Sequence, residues 1–235
     1  MLRTAVALST LLVLAACNWS DPFAGPIKGS GHLKTETRPI ERFTAISLSI
    51  PADLEIEQTG QENLELTADD NLLSLYVSEV RDGTLYLAEG KNLSGQRPRF
   101  KVTLSKLQKL DVAGAATIKA TKLDSDTLSI SFSGGASGSV AGRSNNLTIS
   151  IFGTGTLNAV DLAAKRAKVV VRGMGDVTVN ATNAIDASVI GIGTFSYIDR
   201  PNLSWSVFTL GFVSRKTIPR QPAQPPLRGA MLIKN

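Results

Sequence analysis

Paired carboxylates are the residues of this chain whose type and spacing come closest to those of an enzymatic site. Asp124 and Asp126 are the closest such pair in the C-terminal half, and hydrolysis of a glycosidic bond uses two carboxyl groups about 5 to 10 Å apart. The same residues are also typical of a turn. A Ser-His-Asp triad would depend on His32, the only His, and no Gly-x-Ser-x-Gly motif is present. We therefore expect no catalytic residue, and one His with one Cys excludes a multi-imidazole or multi-thiolate metal site.

Gly-x-Gly motifs occur repeatedly and could bind phosphate through backbone N–H groups. The dinucleotide-binding fingerprint requires a further Gly where this chain has Asn158, Thr178 and Ser196. No helical periodicity follows these motifs. We interpret them as structural turns and expect no cofactor. Nucleic acid is not an expected partner, because no aromatic residues are interleaved with the basic residues near the C-terminus.

The N-terminus carries a targeting signal. Arg3 precedes an apolar run over residues 5–14, which is too short for a comfortable bilayer span and is typical of a signal-peptide core. The run ends in Leu-Ala-Ala-Cys at Cys17, which resembles the bacterial lipobox and predicts a signal peptide over 1–16 and lipid attachment to Cys17. Asn18 follows where an Asp would retain an enteric-type lipoprotein at the inner membrane, so the resemblance implies the outer membrane. The alternative is an ordinary secretory signal with a chance Cys.

Two segments of low periodicity flank the central part. Residues 17–38 contain Gly-Pro and Gly-Ser-Gly sequences and predict a flexible tether that includes His32. Residues 214–235 form a basic tail that follows the last acidic residue of the chain, Asp199. Its prolines cannot donate to a strand ladder, so the tail is expected to protect the end of the sheet. It is interpreted as solvated, the alternative being contact with anionic envelope surfaces.

The composition favours a β-rich domain, with 43% hydrophobic residues, 19% charged residues and 20 Gly. Apolar and polar residues alternate in the first half of the domain, and Asp82-Gly83 predicts a hairpin. One short helix is expected over 70–77, with Asp70 as its N-cap.

From residue 108 the chain repeats with a period of 18 to 20 residues. Apolar triplets with period-two alternation precede each repeat position, and the repeat positions are expected to be structural corners. The corner glycines are Gly114, Gly134, Gly153, Gly155, Gly173, Gly175, Gly191, Gly193 and Gly211. The pattern predicts an all-β fold, a right-handed parallel β-helix (a solenoid with coils of about 18–20 residues) with a β-rich N-terminal section, as one domain over 39–213. An antiparallel sandwich or barrel is the alternative.

These corner sequences also carry a family resemblance. Residues 43–46, 83–85, 101–110, 152–157 and 172–177 resemble the "putative auto-transporter adhesin, head GIN domain" family, over about 41–213. The family favours an acidic or amide residue after Gly-x-Gly, and only the repeat at Gly173 keeps the Asp. The resemblance implies a parallel β-helix on bacterial envelope proteins, which are often lipoproteins. It implies no ligand and no binding residues.

We therefore expect a non-enzymatic, lipid-anchored protein of the cell envelope that presents a binding or adhesion-like surface. Its membrane partner is reached through the lipid on Cys17, and an envelope glycan, surface or protein is the unidentified second partner. The alternatives are a periplasmic scaffold or envelope-stress component, and a carbohydrate-active β-helix enzyme. Exposed aromatic side chains would favour sugar binding. From the period-two alternation, we expect Phe195, Tyr197 and Trp205 to point inward, so Phe208 is the remaining candidate.

Overall fold

The computed structural model describes residues 25–198, 200–208 and 211–216, which form an almost purely β structure. The signal peptide, Cys17 and most of the basic tail lie outside the described residues. Among the residues described, no helix is long and apolar enough to cross a membrane. The strands are β1 Ile27–Lys28, β2 Leu33–Arg38, β3 Ala45–Leu48, β4 Ala52–Gln58, β5 Asn63–Asp69, β6 Tyr76–Arg81, β7 Thr84–Glu89, β8 Leu93–Ser94, β9 Arg99–Leu104, β10 Lys109–Val112, β11 Ala116–Phe132, β12 Gly135–Ile198, β13 Asn202–Phe208 and β14 Gly211–Arg215.

Alternation of apolar and polar residues produces these strands, because successive side chains of a strand point to opposite faces. In β9, Phe100, Val102 and Leu104 are fully buried, whereas the residues between them are exposed or half-buried. The same alternation continues through β11 and β12. The buried residues form one continuous core from Phe43 to Phe195.

The right-handed parallel β-helix solenoid predicted from the repeats is wrong. The main sheet has mixed strand orientation and forms a nearly closed, barrel-like wall. Its strand order is β2-β5-β9-β4-β11-β10-β3-β7-β6, with β12 added beside β11, and β13 and β14 beside β12. The pairs β2/β5, β5/β9 and β6/β7 are antiparallel. The repeat pattern begins only at residue 108, and extending its parallel geometry to the N-terminal section caused the error.

The repeat region pairs in parallel at the predicted spacing. Thr117 pairs with Ser137, 20 residues later, and Gly193 pairs with Gly211, 18 residues later. β12 is a continuous extended stretch of 64 residues. It passes through glycines with positive φ, including Gly173 at 132° and Gly191 at 140°, conformations that are strained for a residue with a Cβ.

Residues 27–28 and 33–38 form strands, so this part of the predicted tether is not a flexible linker. β1 pairs in parallel with β8, and β2 pairs with β5 over six residues. Asp69 fixes the connection between β1 and β2 from a fully buried position. One carboxylate oxygen accepts a hydrogen bond from the Gly31 N–H, and the other accepts one from the Gln96 N–H, each at 2.8 Å.

The two local predictions for the N-terminal section had different outcomes. The hairpin is confirmed, because β6 and β7 are antiparallel around Asp82 and Gly83, with φ angles of 49° and 70°. The helix over 70–77 is wrong. Only a 3₁₀ helix, Leu73–Leu75, forms there, and the carboxylate of Asp70 accepts a hydrogen bond from the Ser30 hydroxyl instead of capping a helix.

Candidate functional site

A groove crosses four segments of the repeat region on the outside of the sheet. Its floor consists of small residues that follow one another on neighbouring segments, namely Ala136, Gly155, Gly175 and Gly193. Adjacent strands lie about 4.8 Å apart, so these four positions span about 14 Å. The groove has a volume of about 580 Å³. We call it the glycine-floored groove.

The floor is small because the neighbouring backbone leaves no room for a side chain. A Cβ added to Gly175 would lie 2.6 Å from the carbonyl oxygen of Gly155, and one added to Gly155 would lie 2.8 Å from that of Ala136. Contacts this short force the backbone to move. The Gly-x-Gly repeats therefore allow the close approach of segments and also create the concave surface.

Apolar side chains rise from the floor into solvent. Met174 and Ile192 line one side, and each is 54% exposed. Phe212 stands on the other side and is 69% exposed. Large apolar residues exposed together on a concave surface are typical of interaction sites.

Polar groups accompany these apolar residues. Thr154 lies on one side of the groove, and Thr156, Asp176 and Thr194 lie on the other. A carboxylate oxygen of Asp176 accepts a hydrogen bond from the Thr194 N–H at 2.8 Å, which fixes the side chain across two segments. The groove can therefore provide hydroxyl donors, one carboxylate and apolar contacts to the same ligand.

Beside the groove, the same outer surface carries another aromatic contact. The Phe152 ring is 41% exposed, and the Arg172 guanidinium lies 5.7 Å from its centroid. This cation–π contact holds a positive charge close to the groove. A ligand with both an apolar face and an anionic group would match this arrangement.

The acidic pair Asp124 and Asp126 lies in a separate cavity of about 400 Å³. The Arg143 guanidinium donates to the carboxylate of Asp124 at 2.7 Å, and the Asn145 amide donates to that of Asp126 at 2.8 Å. Their side chains are 62% and 80% exposed. A general acid in glycoside hydrolysis is normally kept protonated by an apolar surrounding, and neither carboxylate has one.

Two acidic residues elsewhere, Glu57 and Glu62, favour the ionised form. The side-chain hydrogen bond from Lys122 lowers the pKa of Glu57, and the hydrogen bond from the Ser105 hydroxyl lowers the pKa of Glu62. His32 lies in the connection between β1 and β2, where its carbonyl oxygen accepts a hydrogen bond from the Asp70 N–H. In the described ranges, no three His, Cys, Asp or Glu residues are grouped to hold a metal ion.

The predicted site residues are distributed as follows. Cys17 lies outside the described residues, so its lipidation stays a prediction. Gly153, Gly173 and Gly191 have positive φ, whereas Gly114 and Gly134 do not, and all five lie against the backbone of a neighbouring segment. The remaining corner glycines are Gly155, Gly175 and Gly193 in the groove floor, and Gly211, which begins β14.

Sequence reasoning missed the apolar residues of the groove. Met174 and Ile192 occupy the middle position of Gly-x-Gly, and period-two alternation places that position outside when the glycines face inward. The predicted inward direction is confirmed for Phe195, which is fully buried, and for Trp205, which pairs with the buried Ala187, but the Trp205 side chain is still 57% exposed. Trp205 has the inward phase, but it lies on a terminal strand.

Comparison with known proteins identifies relatives of this fold. A family model described as "Putative auto-transporter adhesin, head GIN domain" matches residues 42–201. None of the curated protein sequences matches the chain significantly.

Three solved structures are similar to the chain along their whole length. A "putative adhesin" from Bacteroides fragilis has a TM-score of 0.64 at 22% identity and covers 81% of this chain and 100% of its own. A "putative adhesin" from Parabacteroides merdae has a TM-score of 0.55 at 21% identity, covering 83% and 100%. A "putative lipid binding protein" from Parabacteroides distasonis has a TM-score of 0.52 at 22% identity, covering 82% and 100%. At these identities the likeness shows the fold alone.

Proposed function

The chain belongs to the family described as "Putative auto-transporter adhesin, head GIN domain", and on this basis we propose that it is a non-enzymatic binding protein of the bacterial cell envelope. In this proposal a lipid on Cys17 anchors the protein to the outer membrane. The folded domain presents the glycine-floored groove to a glycan or protein at an envelope or cell surface. The family name and the names of two similar structures, each called a "putative adhesin", support the adhesive role.

The observation that carries the proposal is the exposure of Met174, Ile192 and Phe212 along one concave surface. Removing apolar surface from water contributes about 25 cal/mol per Å², so a ligand that covers these three side chains gains affinity from their burial. The hydroxyl groups and the Asp176 carboxylate add directional contacts. A floor of closely packed backbone cannot rearrange easily, so little ordering is required on binding.

The groove is tested by a double variant, Met174→Ser with Ile192→Ser, screened against an array of glycans and host-surface proteins. We expect the variant to lose the binding that the unchanged protein shows. Leu33→Ser is the matched control, because Leu33 has the same 54% exposure but lies in β2, away from the groove. Equal loss in both variants, or unchanged binding in the double variant, would remove the groove from the proposal.

The anchor is tested separately by Cys17→Ser in cells supplied with a labelled fatty acid. We expect the label and the membrane association to disappear in this variant. Asn18→Asp is the control, because it keeps the thiol and is expected to retain the lipidated protein at the inner membrane. A Cys17→Ser protein that is still processed and membrane-bound would contradict the lipid anchor.

The side of the membrane is tested by protease or antibody added to intact cells. Digestion or labelling before the outer membrane is opened supports a surface adhesin. Protection until the membrane is opened would refute adhesion and favour the alternative, a periplasmic scaffold, whose partners crosslinking would then identify.

A further inference from the structure

The glycine-floored groove continues into a second cavity on the same outer surface, with a volume of about 460 Å³. The two share Thr156, Asp176 and Thr194, so one ligand can occupy both. Apart from Leu157, the other residues that line the second cavity are polar, and three of them carry hydroxyl groups. We call it the hydroxyl-lined cavity. Its polar residues outside the shared set are Asn158, Thr178, Ser196, Ser214 and Lys216.

Lys216 brings a positive charge into this cavity. Its ammonium group donates to the Thr178 hydroxyl at 3.3 Å, although the two residues are 38 positions apart. Ser214 pairs with Ser196 on the neighbouring segment, and Thr178 precedes Ser196 by one further repeat. The Lys216 side chain therefore reaches back across two segments. None of the ion pairs between described residues includes Lys216, so no carboxylate in that part of the chain neutralises its charge.

One segment of β12 carries contacts along the length of the site. Its alternate residues Arg172, Met174, Asp176 and Thr178 are exposed or half-buried, and they span about 20 Å of extended chain. A positive charge lies at each end of this row, from Arg172 and from the Lys216 that bonds Thr178. The Asp176 carboxylate accepts a backbone N–H through one oxygen, which leaves the other for a ligand. Two cations and one carboxylate give the row a net positive charge, which favours an anionic ligand.

The groups on this surface match a sugar better than a peptide. A sugar ring has apolar faces of C–H groups and a rim of hydroxyl groups. Phe212, Met174 and Ile192 provide exposed apolar surface, and the hydroxyls of Thr156 and Thr178 can both donate and accept. An extended peptide typically pairs with the open edge of a sheet. The site lies instead on the face of the sheet, where side chains make the contacts.

We propose, as an inference that rests on the proposed function, that the glycine-floored groove and the hydroxyl-lined cavity together bind an acidic oligosaccharide, whose sugar rings carry carboxylate groups. Phe212 and Met174 cover the apolar face of a ring, and the Asp176 carboxylate accepts hydrogen bonds from its hydroxyl groups. The Lys216 ammonium donates to the carboxylate of the ligand, a charge-assisted hydrogen bond that a neutral sugar lacks. Preference for acidic over neutral sugars therefore depends on Lys216.

Binding is measured on an array of oligosaccharides that contain uronic or sialic acids, each printed beside its methyl ester. The ester removes the negative charge and keeps the ring hydroxyl groups. The unchanged protein is compared with Lys216→Met and with Lys216→Arg, which keeps the positive charge. Arg215→Met is the matched control, because it removes the same charge from the neighbouring exposed residue, whose side chain alternation places on the opposite face.

We expect the bound acidic oligosaccharides to bind about three- to tenfold more tightly than their esters, as suits one exposed charge-assisted contact. Lys216→Met should lose this preference and leave ester binding unchanged, whereas Lys216→Arg and Arg215→Met should keep it. Added salt should reduce the preference, because it screens the charge of Lys216.

Equal binding of acids and esters would overturn the acidic specificity, as would an equal loss in Lys216→Met and Arg215→Met. An array on which no acidic oligosaccharide binds would also overturn it. The proposed function survives these results if a neutral glycan or a protein binds and loses its binding in Met174→Ser with Ile192→Ser. Binding that this double variant leaves unchanged would remove the groove and the acidic-oligosaccharide site together.

Discussion

Gly191 tests the idea that close approach of backbones shapes the repeat region. Its φ is 140°, and a Cβ at this position would contact the carbonyl oxygen of Gly173 on the neighbouring segment. Gly191→Ala therefore combines two costs. The strained φ costs about 1 to 3 kcal/mol for a residue with a Cβ. Displacing a packed backbone costs about the same.

Three matched substitutions separate these costs. Gly135→Ala introduces neither, because φ at Gly135 is not positive and nothing lies within 4 Å of the added Cβ. Gly60→Ala introduces the φ strain alone, since φ is 90° in open space. Gly155→Ala introduces the close contact alone, with the Ala136 carbonyl oxygen 2.8 Å away. All four share the reduced entropy of the unfolded chain that accompanies Gly→Ala.

The free energy of unfolding is measured from urea denaturation of each purified variant. Relative to Gly135→Ala, we expect Gly191→Ala to lose about 2 to 6 kcal/mol, and Gly60→Ala and Gly155→Ala about 1 to 3 kcal/mol each. With a slope near 2 kcal/mol per M, the Gly191→Ala midpoint falls by roughly 1 to 3 M.

Two outcomes would refute this reasoning. A Gly191→Ala variant as stable as Gly135→Ala would show that the repeat backbone adapts freely to a side chain. A Gly60→Ala variant as damaged as Gly191→Ala would show that φ strain accounts for the whole loss, so that close approach contributes nothing.

Three further predictions concern the N-terminal section. Asp69→Ala removes the acceptor of two part-buried hydrogen bonds, from the Gly31 and Gln96 N–H groups, so we expect a loss of about 1 to 3 kcal/mol in urea denaturation and faster amide exchange at both. Burial raises the pKa of Tyr76 in the folded protein. The contribution of the neutral phenol to the free energy of unfolding is therefore fully present below about pH 10 and is lost as pH rises through the folded-state pKa. Tyr76→Phe should reduce that alkaline decline, measured as the melting temperature against pH. Arg38→Met removes hydrogen bonds to two backbone carbonyls near the 3₁₀ helix and should lower the melting temperature, and an unchanged value would contradict the structural role.

Local turn chemistry and periodicity predicted part of the fold. Asp82-Gly83 specified a hairpin because both residues tolerate positive φ, and the 18-to-20-residue period specified the parallel offset of the repeat segments. The pairing of β2 with β5 and of β5 with β9 could not be predicted in the same way. Alternation shows which face of a strand is buried, but it carries no information about which distant strand lies beside it or in which direction.

The sequence likewise predicted only part of the candidate site. The small residues of its floor belong to the Gly-x-Gly pattern, and alternation places Met174 and Ile192 outside. Alternation does not show whether another element covers an outward residue, so their exposure required the structure. Trp205 is the opposite case, because alternation places its side chain on the inner face of the sheet but its strand lies at the end of the sheet.

The position of β2 has a mechanical consequence. β2 lies at one end of the strand order, and the groove lies in the segments added at β12 and β14. If the chain is held at Cys17 as proposed, a pull on the groove passes through the two paired residues of β1 and β8 and then the six paired residues of β2 and β5. Asp69, at the end of that ladder, resists detachment of β2. Adhesive force would thus load the antiparallel N-terminal ladder, and the stability of this ladder would set the tension at which the domain begins to unfold.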